Sequence, residues 1–139
     1  MEIIEVVKEF TFDSAHYIPG HPGACKNIHG HTYRLQVGFR GPVNSKTGVV
    51  IDFADIKQVI QMLIVNKLDH AFLNKLDYAT FPNDMPSAEK IVQWMAEVIQ
   101  CASIPGSAEL SLIRLYETPS SYAEWRAEPR SEKRPRHGK

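Results

Sequence analysis

Polar and apolar residues alternate over residues 3–16, where Ile4, Val6, Phe10 and Phe12 share one parity and β-branched and aromatic types dominate. A period of two places that set on one side of an extended chain, so the segment is predicted to be a strand with one buried face. Residues 17–28 carry Pro19, Gly20, Pro22, Gly23 and Asn27, a cluster that interrupts regular structure and predicts a long loop. Alternation returns over residues 29–40, with Tyr33, Leu35, Val37 and Phe39 on one face and Arg34, Gln36 and Arg40 on the other. This is the pattern of a second, half-buried strand.

Beyond a turn near Asn44 to Gly48 the period lengthens. Asp52 can cap a helix whose Ile56, Val59, Ile60, Leu63 and Ile64 recur at helical spacing. A second helix is predicted after Pro86, with Ser87 as its cap, Glu89 in its first turn, and Ile91, Val92, Met95, Val98 and Ile99 as its buried stripe. The stretch between, Leu68 to Met85, reads as irregular. Pro105-Gly106 then breaks the chain before a third strand, Leu110 to Glu117, and Tyr122 to Arg126 makes a fourth. Two hairpin-like strand pairs and two amphipathic helices predict an α+β fold, the helices covering one face of an antiparallel sheet.

A chain of 139 residues, 43% hydrophobic and 23% charged, has the size and composition of one folded domain. Sixteen basic side chains balance sixteen acidic ones, yet from Arg126 to Lys139 six basic residues face two acidic ones. With Pro129, Pro135 and Gly138 among them, this stretch reads as a solvated, frayed terminus rather than a nucleic-acid contact. The expected organisation is a catalytic domain over 1–126 and a basic, disordered tail over 127–139, with neither nucleic acid nor membrane as a partner. Cys25 and Cys101 lie too far apart in sequence for a Cys-x-x-Cys pair, and nothing suggests a disulfide framework. No apolar run approaches the roughly 20 residues that cross a bilayer, and MEIIEVVKEF is interrupted by charge, so the expected location is the cytoplasm.

The strands locate the candidate chemistry. His29 and His31 are two apart on the second strand and point to one face, continuing the row of Tyr33 and Leu35. His16 shares the parity of Phe10 and Phe12 at the far end of the first strand. If the two strands are antiparallel neighbours, that end lies beside the start of the second, and the three imidazoles converge. Three neutral imidazoles with a fourth position open is the arrangement of a catalytic Zn²⁺ site. His21 lacks the direction a strand imposes, and His137 lies in the tail. Cys25, four residues before His29 and next to Lys26, is either a small buried hydrophobe or a reactive thiolate near a cation. Cys101 reads as the former. Asp69-His70 is either a carboxylate orienting an imidazole for proton transfer or a histidine answering a helix C-terminus.

Taken together, Phe12-Asp-Ser-Ala-His16, Cys25-x-x-x-His29-Gly-His31, Leu68-Asp-His70, Pro86-Ser-Ala-Glu89 and Tyr116-Glu-Thr118 resemble, in order and spacing, the 6-pyruvoyltetrahydropterin synthase superfamily. The three residues between cysteine and His-Gly-His resemble its bacterial 6-carboxy-5,6,7,8-tetrahydropterin synthase branch, which serves queuosine biosynthesis. The resemblance spans about residues 3–125 and implies a T-fold whose trimers close into a β-barrel, two trimers stacking as a homohexamer. It also implies zinc held by His16, His29 and His31, with Cys25 as general base, aided by Asp69 and His70 of a neighbouring subunit. Glu117 would anchor the pterin through paired hydrogen bonds. The segment that usually reads Pro-Thr-x-Glu keeps a hydroxyl at Ser87, a substrate contact, but has Ala88 beside it. The implied activity is that of a lyase converting 7,8-dihydroneopterin triphosphate to 6-carboxytetrahydropterin, acetaldehyde and triphosphate, with no redox cofactor. The alternatives are triphosphate elimination alone, giving 6-pyruvoyltetrahydropterin, and a zinc- or pterin-binding protein without turnover.

Overall fold

The computed structural model describes residues 2–76, 81 and 85–128. Strands β1 (Ile4–His16), β2 (His29–Gly41), β3 (Ala71–Phe72), β4 (Glu109–Thr118) and β5 (Ser121–Arg126) form one sheet in the order β3-β1-β2-β4-β5. All neighbours are antiparallel except β3, which pairs parallel with β1 at Ser14↔Ala71 and Ala15↔Phe72. The four predicted strands are present. The fifth, β3, and a 3-10 turn at Leu73–Lys75 fall in the stretch expected to be irregular. Two residues carry no detectable period, and β3 exists only because the chain is led back along β1. The tail expected over 127–139 lies outside the described residues from 129 onward, as do 77–80 and 82–84 of the inter-helix stretch. Ala127 and Glu128 still touch the sheet: the Ala127 N–H donates to the Ser111 carbonyl at 3.1 Å, and Arg40 Nη2 donates to the Glu128 carbonyl at 2.8 Å.

One face of the sheet is apolar because the alternation in β1 and β2 stays in phase and a bulge brings both ends of β4 onto the same face. Phe10, Phe12, Tyr33, Leu35, Val37, Phe39, Leu110, Ile113 and Leu115 are buried there. Burial fades toward the start of β1, where Val6 is half-buried and Ile4 is exposed opposite Gly41, which has no side chain to cover it. A bulge at Gly38/Phe39 pairs Phe39 with Leu110 and Gly38 with Leu112, so Leu110 stays in the core while Leu112 joins the other face. A Cβ at Gly38 would lie 3.0 Å from the Leu112 Cβ, a tight approach that glycine makes without displacing its neighbour. The outer face carries side-chain pairs, including Arg34–Glu9 at 2.7 Å and Arg114–Glu124 at 2.6 Å.

The helical layer begins at α1 (Phe53–Ile60), capped by Asp52 accepting from the Ala54 N–H at 2.8 Å. It runs through a π-helical turn, Gln61–Val65, into α2 (Asn66–Leu68). The sequence explains the wide turn. Ile56, Ile60, Ile64 and Leu68 repeat every four residues, and at about 3.6 residues per turn an unbroken α-helix would rotate that row by roughly 40° at each step. Widening one turn cancels the drift, and all four side chains are at most 1% exposed. Gln61 Nε2 donates to Asn66 Oδ1 at 2.7 Å, joining residues five apart across the turn. The third helix, α3 (Ala88–Gln100), starts at Ser87, whose hydroxyl accepts from the Lys90 N–H, and buries Ile91, Val92, Met95 and Ile99 on the same core. No helix among the described residues is long and apolar enough to cross a membrane.

The phase of the π turn can be checked by two truncations. Ile64 is fully buried and Met62 is 58% exposed. Ile64→Ala should lower unfolding stability by about 2–5 kcal/mol, and Met62→Ala by no more than about 0.5 kcal/mol, read from urea denaturation.

Candidate metal centre

The register of β1 and β2 pairs His16 directly with His29 and leaves His31 two residues further along the same face. The ring centroids lie 4.6 Å apart for His16–His29, 5.1 Å for His16–His31 and 4.9 Å for His29–His31, and one nitrogen from each ring falls within 4.8 Å of the others. The convergence expected from strand parity is therefore present.

Backbone carbonyls set the tautomers. His16 Nδ1 lies 2.7 Å from the Pro86 carbonyl and His29 Nδ1 lies 2.8 Å from the Asn27 carbonyl. A carbonyl can only accept, so both Nδ1 atoms carry the proton and both Nε2 lone pairs are left free. His16 Nε2 and His31 Nε2 are buried without a hydrogen-bond partner. An orphaned buried polar atom costs about 1–3 kcal/mol, and two of them facing one point fit a metal ion that would take both lone pairs. Burial lowers the pKa of His16, against the opposing pull of the Pro86 carbonyl and of Glu117, and burial likewise lowers that of His31. Both are thus neutral at pH 7, the state that binds a metal. Three imidazoles suit Zn²⁺ among the borderline divalent ions.

Glu117 reaches the same centre from β4. A shift in the β4–β5 register between Tyr116 and Thr118 leaves Glu117 as the extra residue, and such bulges re-aim a side chain. Its Oε1 lies 3.7 Å from His16 Nε2 and its Oε2 lies 4.0 Å from His31 Nε2. Tyr33, read from sequence as core, lies beneath the imidazoles. It stacks on Phe12 at 4.9 Å, its ring is 5.4 Å from His31, and its hydroxyl is 3.4 Å from His16 Nδ1. Burial, with Glu117 adding to it, raises its pKa and keeps the phenol protonated.

The remaining candidates are placed around this group. Cys25 is half-buried in a 3-10 turn, Ala24–Lys26, whose carbonyl at Cys25 accepts from the Ile18 N–H at 2.7 Å. Its sulfur is not among the donors that converge with the histidines. Ser87 caps α3 immediately after Pro86, the residue that holds His16. Asp69 and His70 follow α2 and pair with each other at 3.0 Å. With Asp13 they form a second, separate group of converging donors, all exposed. The carbonyls of Pro86 and Asn27 have no side-chain signature in the sequence.

Comparison with known proteins agrees with this geometry. The profile of the 6-pyruvoyl tetrahydropterin synthase family matches residues 5–128. A Haemophilus influenzae protein named 6-carboxy-5,6,7,8-tetrahydropterin synthase is 35% identical over 142 residues, covering 88% of this chain and 99% of its own. A Synechocystis protein of the same name is 33% identical over 124 residues, covering 86% and 91%. The structure of Caenorhabditis elegans 6-pyruvoyl tetrahydropterin synthase superposes with a TM-score of 0.79 at 25% identity, over 92% of this chain and 98% of that one. The architecture is the T-fold expected from the sequence.

The depressed histidine pKa values fix the sign of a pH effect. Below about pH 6.5 the unfolded chain protonates His16 and His31 while the folded chain resists. Stability of the metal-free protein is therefore full above that pH and falls as the solution is acidified through it. Thermal unfolding of metal-free protein at pH 7.5 and 5.5 should show the loss, and His16→Ala should shrink it.

Proposed function

The chain belongs to the 6-pyruvoyl tetrahydropterin synthase family, and from that footing we propose that it is a zinc-dependent 6-carboxy-5,6,7,8-tetrahydropterin synthase acting in queuosine (7-deazaguanine) biosynthesis. It acts as a lyase on 7,8-dihydroneopterin triphosphate, giving 6-carboxytetrahydropterin, acetaldehyde and triphosphate, with one water consumed to balance the atoms. The observation that carries this reading is the pair of buried, unpartnered imidazole nitrogens of His16 and His31 beside the Glu117 carboxylate. Names borne by the Haemophilus and Synechocystis relatives support the choice of product.

His16, His29 and His31 would hold the ion. Bound there, zinc supplies Lewis acidity toward the side-chain oxygens of the substrate and so acidifies the neighbouring C–H bonds. Glu117 offers two oxygens to the amino and ring N–H groups of a pterin, a fit that a single strand-end carboxylate aimed by a bulge can provide. Cys25 takes the proton from carbon, and Ser87, at the start of α3, contacts the pterin edge. Asp69 and His70 carry protons for the site of a neighbouring subunit, a reading supported by the 80% exposure of the His70 side chain and its separation from the histidine group of its own chain.

The assembly proposed is a hexamer of two stacked trimers. β1 is covered by β3 at only two positions, and β5 ends the sheet on the other side. Two strand edges with open backbone groups gain by pairing between copies, which closes a barrel. Residues 1–126 then act as one catalytic domain with 127–139 as an appended tail, in the cytoplasm.

Metal-replete protein incubated with 7,8-dihydroneopterin triphosphate and followed by mass spectrometry should release acetaldehyde and 6-carboxytetrahydropterin. Formation of 6-pyruvoyltetrahydropterin without acetaldehyde would instead assign the activity named for the nematode structure, and no turnover by zinc-loaded protein would leave a binding protein. Cys25→Ala should keep its metal and lose about 10²-fold or more in kcat. Unchanged turnover would remove Cys25 as the base.

A further inference from the structure

The loop that carries Cys25 is bonded to itself. The Ile18 N–H donates to the Cys25 carbonyl at 2.7 Å, and the Ile18 carbonyl accepts from the His21 N–H at 3.2 Å. Pro19 and Gly20 are the central residues of that turn, and Gly20 has a φ of 77°, as a type II turn requires. The Gly23 N–H donates to His21 Nδ1 at 3.0 Å, and the Asn27 N–H donates to the Ala24 carbonyl at 3.0 Å. Such bonds hold the shape of the loop without deciding where it sits. Its entry is fixed from residue 74. β3 pairs with β1 at Ser14↔Ala71 and Ala15↔Phe72, and continuing that register by two residues would set Tyr17 against Asn74. The chain instead leaves the ladder for the 3-10 turn Leu73–Lys75, whose Leu73 is buried in the core. The Asn74 side chain then makes the pairing that its backbone gives up. Its Oδ1 accepts from the Tyr17 N–H at 2.9 Å, and its Nδ2 donates to the Tyr17 carbonyl at 3.0 Å. A carboxamide carries the donor and the acceptor of a peptide group, so it satisfies both polar groups of Tyr17 as a strand partner would. The Tyr17 ring also lies 6.0 Å from that of Phe72.

We propose that Asn74 is the positioning residue for Cys25: by clamping both backbone groups of Tyr17 it fixes Ile18, and through the Ile18–Cys25 bond it fixes the turn that bears the thiol. Without the clamp the loop keeps its internal bonds but swings about Tyr17, and Cys25 moves with it. His16, on the other side of Tyr17, is held separately by the Pro86 carbonyl and by its pairing with His29, so the metal donors stay in place. A misplacement of about 1 Å can cost a reacting group about 10²-fold in rate. Asn74 itself touches no reacting atom. The proposal rests on the reading of Cys25 as the base.

The test uses full-length, zinc-loaded protein carrying Cys101→Ser, so that Cys25 is its single thiol. Asn74→Ala should lower kcat on the order of tenfold or more while KM and zinc per chain stay as in this parent. Asn74→Asp, which keeps the acceptor for the Tyr17 N–H but turns an oxygen toward the Tyr17 carbonyl, should share the defect. In a Cys25→Ala background Asn74→Ala should have no further effect on the residual rate, because the group it positions is gone. Alkylation by iodoacetamide reads position apart from turnover. At the plateau of its pH profile, where every thiol is ionised, the rate reports access alone. Cys25, half-buried in the parent, should there react several-fold faster in both Asn74 variants. Parent-like kcat, zinc loss, an undiminished defect in the Cys25→Ala background, or alkylation no faster than in the parent would each overturn the positioning role. If Cys25→Ala turns over like the parent, the reading of Cys25 as base fails instead, and the alkylation rate still decides whether Asn74 positions it.

Discussion

The pairing of His16 with His29 across β1 and β2 is the constraint on which the rest of the centre depends. A strand register that slipped by one residue would turn every side chain of one strand to the opposite face. His16 would then leave the group formed by His29 and His31. What prevents the slip is the burial of Phe10 and Phe12 against Leu35 and Tyr33 in the same ladder. The hydrophobic core and the donor set are thus fixed by one decision. The same register sets Asp13 opposite Thr32 on the outer face, where the Thr32 hydroxyl donates to Asp13 Oδ1.

The second structural dependence runs through backbone rather than side chains. His16 and His29 each give their Nδ1 proton to a carbonyl, one from the entrance to α3 and one from the loop before β2. Because Pro86 immediately precedes the cap of α3, the orientation of one donor is tied to the seating of a helix whose stripe is buried on the sheet. The donor geometry is in this sense part of the tertiary fold.

Much of this was legible in the sequence because period and parity are strong signals. The four longer strands and the caps Asp52 and Ser87 follow from spacing, and the convergence of three histidines follows once the first two strands are taken as antiparallel neighbours. What escaped was whatever depends on partners distant in sequence. β3 is two residues long and needs β1 beside it. The bulge at Gly38 is invisible until Leu110 and Leu112 are seen on opposite faces. Tyr33 reads as another core aromatic because its role beneath the imidazoles comes from its neighbours. Cys25 and Asp69-His70 were recognised as candidates by residue type, but their relation to the histidines depends on loops and turns whose course no periodicity encodes.

The π turn between Ile60 and Asn66 has a bearing on descent as well as on packing. A wide turn is the way a helix absorbs one surplus residue while both of its ends keep their orientation. A lineage can therefore gain or lose a residue in this stretch without disturbing Asp69 and His70 at the far end. Homologous chains compared across residues 61–65 should be allowed a one-residue gap there, since an ungapped comparison would set core positions of one chain against surface positions of another.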